Sequence, residues 1–428
     1  MSRKWTRRGL LKASLAAAAS PYMLTSTALG GPGALSASER IALGFIGLGG
    51  RGRGTMPHFV RPGYSEPIAA CDVWRSKAQW ASAYFKNTLA VTQDFREVTS
   101  RPDIDAVVIS SPDHWHVLHA LSAIRAGKDV FCEKPLSLSV REGRVLADEV
   151  KRHGRIFLHG THQRSFAGFR HACELALNGY LGKVHTIRVC ERASWADNVR
   201  PPQAVPPDLN YDLWLGQAPE IPYNGQSVGG GGWQCRSDYS AGWISGCAVH
   251  PLDIAQWGNG TDRTGPVAVE GKGVYPTDGF NDTATDWHVT LTYANGVKLI
   301  LTSTHNHVNS PEVGARFEGD EGWVMAHGNA ASELAEPVSL LRKPMGPNDI
   351  HLTRSDNHAS HFLECVRTRK ESIAPAEVAH RSTTLCLISD IAMRLDRPLK
   401  WDPRQERFVG DEQANRMLSR SMRAPWRL

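Results

Sequence analysis

The chain has 428 residues, enough for two domains with separate hydrophobic cores. Charged residues make up 21% and hydrophobic residues 41%, a balance typical of folded, soluble proteins rather than disordered ones. The net charge of +6 is small and the basic residues are scattered, so we expect no nucleic-acid-binding surface. No apolar run approaches the roughly 20 residues of a membrane-spanning helix, and we therefore expect no stable membrane insertion.

Residues 1–38 carry the pattern of an export signal. The sequence TRRGLLK at positions 6–12 resembles a bacterial twin-arginine signal, and an Ala/Leu-rich run and a Pro/Ser/Thr/Gly-rich stretch follow it. The twin-arginine route carries folded proteins, often with a cofactor already bound. We therefore expect a periplasmic protein whose cysteines were reduced while it folded.

Between residues 40 and 161, short apolar runs alternate with amphipathic stretches. The apolar runs are predicted as strands at 41–48, 67–73, 106–111, 129–132 and 155–159. Helices are predicted between them at 55–60, 76–85, 116–126 and 140–153. Strands that alternate with helices predict βαβ units, a parallel sheet and a Rossmann domain over residues 40–161.

A Gly-x-Gly-x-x-Gly motif directly follows the first predicted strand. It comprises Gly47, Gly49 and Gly52, with Arg51 inside the motif, and a plausible helix comes next. Glycines in this context allow a tight turn and a close approach of the backbone to a pyrophosphate, which the helix N-terminus attracts. The motif in this position predicts a dinucleotide site.

The next predicted strand ends near Asp72, 25 positions after Gly47. This is close to the spacing of a carboxylate that binds the adenine ribose of NAD. A carboxylate there repels a 2′-phosphate, so Asp72 favours NAD over NADP. The neighbouring Arg75 keeps NADP as an alternative.

After residue 161 the pattern changes. A helix at 169–177 and a strand at 183–191 lead into an irregular stretch, 192–245, that is rich in Pro, Gly and Trp. Further strands are predicted at 267–274, 287–293, 297–304 and 315–326, with a hairpin turn at 294–296, and helices at 358–369 and 376–394. The fold class is therefore α/β, with an N-terminal Rossmann domain and a C-terminal α+β domain, 162–428, whose open sheet is mainly antiparallel. The exposed face of that sheet favours a homodimer or homotetramer.

Three further motifs stand at fixed places in this plan. SPDHWH at 111–116 follows the fourth predicted strand, CEKP at 132–135 follows the fifth, and GWISGCAVHPLD occupies 242–253. Together with the glycine motif they resemble the Gfo/Idh/MocA family, which includes glucose–fructose oxidoreductase, inositol dehydrogenase and NAD-dependent glycosidases. The resemblance implies a nicotinamide-dependent oxidoreductase that acts on a secondary hydroxyl of a sugar or sugar derivative, with a tightly bound cofactor.

The resemblance also implies roles for individual residues. It adds to the cofactor site Ser111, His116, Glu133 and Lys134. Lys134 would lie beside the nicotinamide and touch the substrate hydroxyl, and His250 would act as acid or base in the proton transfer. Asp253 would help to place the substrate or His250.

One position departs from the family pattern. Many dehydrogenases of this family carry an Asp four residues before the His, and here that position is Gly246. The missing carboxylate puts simple inositol-dehydrogenase chemistry in doubt and shifts more of the proton transfer onto Lys134 and His250.

Aromatic residues of the 192–245 stretch suggest how a sugar would be held. Indole rings stack on the apolar C–H faces of sugars, so Trp243 is predicted to contact the substrate. Arg164 is predicted to form hydrogen bonds with hydroxyl groups or a carboxylate of the substrate. A minor core beneath long loops, or a subunit interface, is the alternative for these aromatics.

Two His-x-His pairs, 114/116 and 305/307, raise the question of a metal. No carboxylate or cysteine close in sequence completes either site. We therefore predict no metal and a structural or substrate-contact role for both pairs.

Two other functions remain open at the sequence level. A NAD-dependent glycosidase would oxidise the sugar transiently at carbon 3 and release the aglycone by elimination, without the paired carboxylates of ordinary glycosidases. A sensor of sugar or cofactor on the same fold would need no catalysis. The presence of Lys134 and His250 argues against the sensor.

Overall fold

A computed structural model describes residues 35–86, 88–198, 201–228, 231–306, 312–327 and 332–428. The export signal predicted over residues 1–38 lies outside the described residues except for its last four positions. In the part of the chain that is described, no helix has the length and apolar character needed to cross a membrane.

The first half of the chain forms a sheet of six parallel strands in the order β3-β2-β1-β4-β5-β6. Its strands are β1 (Ile41–Ile46), β2 (Ser65–Cys71), β3 (Ala90–Thr92), β4 (Ala106–Ile109), β5 (Asp129–Cys132) and β6 (Phe157–His159). Its helices are α1 (Gly50–Phe59), α2 (Arg75–Tyr84), α3 (Phe95–Thr99), α4 (Asp113–Arg125) and α5 (Val140–His153). Ile46 and Phe45 belong to hydrophobic clusters on opposite sides of the sheet. Both faces are therefore covered, which explains the continuous apolar runs of the central strands.

The second half forms a nine-stranded sheet in the order β13-β12-β11-β7-β10-β9-β8-β14-β15. Its strands are β7 (Val184–Arg192), β8 (Ala268–Val274), β9 (Asp286–Thr292), β10 (Lys298–Thr304), β11 (Gly314–Gly319), β12 (Gly322–His327), β13 (Ser332–Glu336), β14 (Leu399–Asp402) and β15 (Arg407–Phe408). The pair β7–β10 is parallel, and the other neighbouring pairs are antiparallel. The predicted fold class, a Rossmann domain followed by a mainly antiparallel open sheet, is confirmed.

The helices of the second half are mostly short, apart from one at its centre. They are α6 (Ala167–Leu177), α7 (Tyr211–Leu215), α8 (Gly225–Val228), α9 (Trp243–Gly246), α10 (Val249–Gly258), α11 (His358–Thr368), α12 (Ala376–Leu395) and α13 (Glu412–Arg416). Helix α12 is buried almost all round and contacts both α5 and β8. It therefore joins the two halves through its packing.

The predicted strand 315–326 is wrong, because it is two strands that pair through a tight turn. Gly319 pairs with Gly322, and only Asp320 and Glu321 lie between them. The apolar residues on both sides concealed this turn. The predicted hairpin at 294–296 is correct: β9 and β10 pair across it, and Gly296 has a φ of +87°.

Candidate active site

A cavity of about 1150 Å³ lies at the carboxyl ends of the parallel strands. Its wall includes Ile46 and Cys71 from the ends of β1 and β2, and Gly246 and His250 from the second half. The strand order of the first sheet reverses between β1 and β4. Ligands of doubly wound sheets bind at such a switch point.

The glycine loop forms a cradle at one end of this cavity. Gly47 has a φ of +87°, and a Cβ there would lie 2.5 Å from the backbone nitrogen of Ser111. A Cβ on Gly52 would lie 2.0 Å from the Gly47 oxygen, so both positions need glycine. At Gly49 and Gly50 no described atom lies within 4 Å of such a Cβ. The backbone is therefore open to a pyrophosphate at the N-terminus of α1, and the residues present fit a dinucleotide.

Asp72 lies in the cavity wall just after β2 and ties the glycine loop to this strand. Its carboxylate accepts hydrogen bonds from the backbone N–H of Leu48 at 2.7 Å and of Trp74 at 2.8 Å. Burial raises the pKa of Asp72, and the charge of Lys77 and the two N–H donors oppose this rise. Arg75, which kept NADP as an alternative, donates to Gln93 at 3.4 Å and is not part of the cavity wall.

Arg51 and Glu133 form an ion pair in the cavity wall. Arg51 Nε donates to Glu133 Oε1 at 2.6 Å, and Arg51 Nη2 donates to His162 Nε2 at 2.5 Å. Burial disfavours the Glu133 carboxylate, but the His162 ring and the Arg51 charge outweigh burial and lower the pKa of Glu133 below its ordinary value. Glu133 therefore stays ionised and balances positive charge in the cavity.

His116 braces the cavity wall rather than offering a free nitrogen. Its Nδ1 lies 2.6 Å from the Pro135 carbonyl oxygen and its Nε2 lies 2.8 Å from the Ser111 carbonyl oxygen. The ring thus links α4 to the turn after β5, which carries Lys134. Ser111 and His116 both lie in the wall, as does Lys134.

Lys134 and His250 both lie in the cavity wall, Lys134 from the first half of the chain and His250 from the second half. The Lys134 ammonium donates to the Gly246 carbonyl oxygen at the end of α9. His250 Nδ1 is buried and has no hydrogen-bond partner among the described residues. Burial, followed by the charge of Lys134, lowers the pKa of His250 well below its ordinary value. A neutral imidazole with an unused nitrogen is suited to pair with a substrate hydroxyl.

Asp113 is a cavity residue that the sequence did not single out as a candidate. It begins α4, is 4% exposed, and its Oδ2 accepts from the Ser240 hydroxyl at 2.7 Å. Burial raises the pKa of Asp113 to about 6, against the opposing effects of His116, Ser240 and Lys134. A carboxyl with a pKa near neutrality can exchange protons at physiological pH.

Residues 208–217, which we call the cover segment, lie across the Rossmann domain and contact both the residues that follow β2 and the start of α4. At one end, the Arg75 N–H donates to the Asp208 carbonyl at 2.9 Å. At the other end, the carbonyl of Trp214 accepts from Trp115 Nε1 at 3.0 Å and lies 2.9 Å from His114 Nε2. Leu213 and Trp214 are part of the cavity wall.

Residues 417–428, the C-terminal segment, hold the cover segment from outside. Arg423 donates from Nε to the Gly216 carbonyl at 2.9 Å and from Nη1 to the Asp212 carboxylate at 2.7 Å. The Trp426 ring packs edge-on against Trp115, with 4.8 Å between ring centroids. Trp115 is itself a wall residue, so the C-terminal segment lies directly behind the cavity.

Arg164 and Asp253, both predicted to contact substrate, are not brought into the cavity wall. They form a buried two-bond ion pair of 2.7 and 2.9 Å with side chains 2% and 0% exposed. Asp253 also accepts from the Ser382 hydroxyl at 2.7 Å, and Arg164 also pairs with Asp262 at 3.1 Å. The pair supports α10, the helix that carries His250.

Trp243 is likewise not part of the cavity wall. Its ring packs edge-on against Trp195 at 5.3 Å, and the Arg192 guanidinium lies 4.7 Å from its centroid. Four other tryptophans line the cavity instead: Trp74, Trp115, Trp214 and Trp233. Of these, Trp214 and Trp233 come from the same Trp-rich stretch, 192–245, as Trp243, so the composition pointed to the right segment.

The histidine pairs do not assemble a metal site in the described residues. His114 and His116 point to different carbonyl groups, and His307 lies outside the described residues. No group of three His, Cys, Asp or Glu side chains that could hold a metal occurs in the described ranges.

Two family models match most of the chain. The oxidoreductase family model for the NAD-binding Rossmann fold matches residues 41–161, and the model for the C-terminal alpha/beta domain of the same family matches residues 189–428. The chain belongs to the Gfo/Idh/MocA oxidoreductase family. The resemblance seen in its motifs is confirmed.

Individual relatives are more distant. YrbE of Bacillus subtilis (strain 168), an uncharacterized oxidoreductase, is 25% identical over 71% of this chain and 76% of its own length. A glycosyl hydrolase family 109 protein of Shewanella pealeana is 32% identical, but the match spans only 27% of this chain and 27% of that protein. The crystal structure of aldose-aldose oxidoreductase from Caulobacter crescentus complexed with glycerol has a TM-score of 0.63 at 20% identity, over 84% of this chain and 99% of that one. This likeness shows a common fold.

Proposed function

We propose that this family member is a periplasmic NAD-dependent enzyme that oxidises a secondary hydroxyl of a sugar or sugar derivative. One observation carries the proposal: a single cavity contains the glycine cradle with Asp72 at one end and Lys134 with His250 at the other. The similarity in fold to an aldose-aldose oxidoreductase supports a carbohydrate substrate.

A bound nicotinamide would supply a two-electron acceptor at the reacting carbon. The cradle of Gly47, Gly49 and the α1 N-terminus would hold its pyrophosphate, and Asp72 its adenine ribose. Lys134 would donate a hydrogen bond to the substrate oxygen, and the unpaired His250 Nδ1 would orient the reacting hydroxyl.

We further propose that the cofactor remains bound through many turnovers. Free NAD is scarce outside the cytoplasm, so a periplasmic enzyme that lost its cofactor would stop. The cover segment supports retention, because its Leu213 and Trp214 form part of the cavity wall and the C-terminal segment holds it in place from behind. A retained cofactor requires a closed redox cycle, in which a second substrate or a later step reoxidises it.

A second candidate satisfies the same requirement. In a NAD-dependent glycosidase, oxidation at carbon 3 would acidify the neighbouring C–H bond and the aglycone would leave by elimination. Addition of water to the resulting double bond and return of the hydride to carbon 3 would then restore the sugar and the oxidised cofactor. The partial match to a glycosyl hydrolase family 109 protein favours this candidate. NADP in place of NAD is the alternative cofactor. We also propose that the protein forms a homodimer or homotetramer.

The test is to purify the protein, denature it and identify any released nucleotide by mass spectrometry. We expect one NAD or NADH per chain. The intact protein is then incubated with D-glucose plus D-fructose, and separately with nitrophenyl glycosides. Formation of an oxidised and a reduced sugar together supports the oxidoreductase, whereas nitrophenol without net NADH supports the glycosidase. A nucleotide-free protein that oxidises no sugar with added NAD or NADP would refute both.

A further inference from the structure

Gly246 leaves the reacting end of the cavity without a side chain. No described atom lies within 4 Å of a Cβ built at this position, which is in the cavity wall between Lys134 and His250. His250 is a poor final holder of a proton, because burial and the Lys134 charge both disfavour its charged form. The proton released from a substrate hydroxyl therefore needs another acceptor.

The carboxylates of the cavity wall are few, and only one is suited to this role. Asp72 lies at the cofactor end with its oxygens bonded to the backbone of Leu48 and Trp74. Glu133 is paired with Arg51 and is held ionised. Asp113 has no arginine partner among the described residues, and its Oδ2 is fixed by the Ser240 hydroxyl.

We propose that Asp113 is the carboxylate that receives the substrate proton, taking the place of the side chain that Gly246 lacks. The proposal rests on the oxidoreductase function proposed above. Asp113 would act through Lys134, which belongs to the same cavity wall.

The proposed step balances as follows. The C–H bond of the alcohol breaks and its hydrogen leaves with the electron pair to the nicotinamide, while the carbon–oxygen double bond forms. Lys134 gives one of its N–H protons, relayed by a water molecule, to the carboxylate of Asp113 and takes the hydroxyl proton in its place. Lys134 ends with three N–H bonds, as it began, and Asp113 ends as a neutral carboxylic acid.

The groups around Asp113 set the pH at which it can accept a proton. Burial favours its neutral form, and the charges of His116 and Lys134 and the Ser240 hydrogen bond favour its ionised form. Cys132 and Cys247 also lie close enough to sense the charge of Asp113, and burial raises the pKa of both thiols, so they stay uncharged near neutral pH. We expect sugar oxidation to rise as the pH rises through about 6, when Asp113 loses its proton.

The first test compares the wild-type protein with Asp113→Asn. Stopped-flow absorbance follows reduction of the bound nicotinamide by D-glucose and by methyl β-D-glucoside. The amide still accepts from Ser240 but takes no proton, so we expect a rate lower by about 10²- to 10⁴-fold and no rise in rate through pH 6. Ser240→Ala should move that rise to higher pH, because the ionised carboxylate loses a hydrogen bond.

Restoring a carboxylate at the open position is the decisive test. Gly246→Asp in the Asp113→Asn background should recover at least tenfold of the lost rate, since the wall has room for the new side chain. Asp94→Asn is the matched control: Asp94 also stands at a helix start, but outside the cavity wall, and should not change the rate.

A readout without turnover separates proton transfer from folding. Infrared difference spectra of the protein with its cofactor bound and no sugar present should show one carboxyl group, absent from Asp113→Asn, that protonates near pH 6. Equal rates and pH profiles for wild type and Asp113→Asn would overturn the role of Asp113 alone. If the wild type reduces no nicotinamide with any sugar, the proposed function has failed instead.

Discussion

At the residue scale, the buried ion pair of Arg164 and Asp253 allows a test of whether these residues stabilise the fold or bind the substrate. Breaking a buried pair by removing one partner leaves an uncompensated charge and costs about 3–5 kcal/mol of unfolding free energy. We therefore expect Arg164→Met to lower the urea midpoint of unfolding strongly, because Asp253 is 0% exposed. Tryptophan fluorescence during urea titration measures this loss.

Arg188→Met is the matched control for Arg164→Met. Arg188 pairs with Glu318 at 3.1 Å but is 54% exposed, and removing an exposed pair costs at most about 1 kcal/mol. A normal urea midpoint for Arg164→Met, combined with a raised KM for sugar, would return Arg164 to the substrate site predicted from the sequence.

At the scale of elements, the cover segment depends on the C-terminal segment for its position. Arg423 bonds both Gly216 and Asp212, and Trp426 packs against Trp115. Hydrogen bonds to charged groups contribute about 1.5–3 kcal/mol, which corresponds to roughly 10- to 100-fold in a rate or equilibrium. Arg423→Ala should accelerate cofactor release by about that factor.

Dissociation of bound NADH, followed by its fluorescence after dilution into excess NAD, measures this release. Arg427→Ala is the control, because Arg427 is exposed in the same C-terminal segment. An unchanged release rate in Arg423→Ala would mean that the cavity holds its cofactor without help from the cover segment.

The elements also show how far sequence patterns reach. The glycine loop, Asp72 and Lys134 were predictable because each directly follows a buried strand, and the carboxyl ends of parallel strands meet at one edge. The contact of the cover segment with Trp115 and the contact of Asp113 with Ser240 were not, since they join residues 99 and 127 positions apart. The three-residue strand β3 escaped prediction because it is too short for a periodic pattern.

At the scale of the whole molecule, the cavity wall exists only when both halves are folded. Its residues come from both halves of the chain, and α12 contacts elements of each half. For the proposed periplasmic enzyme, a cofactor enclosed in this way would be acquired where NAD is available, in the cytoplasm, before the proposed export. This requirement matches the proposed twin-arginine signal, since that route carries folded proteins.

The order of loading and export can be measured in the native host. Changing Arg7 and Arg8 together to lysine should keep the protein in the cytoplasm with its nucleotide bound, because the paired arginines are the core of the proposed signal. Replacing residues 1–38 with a signal that exports unfolded chains should instead give periplasmic protein with little nucleotide. Mass spectrometry of denatured protein from each compartment gives the ratio of nucleotide to chain. Full nucleotide occupancy after unfolded export would contradict cytoplasmic loading, and efficient export of the double-lysine variant would contradict the signal itself.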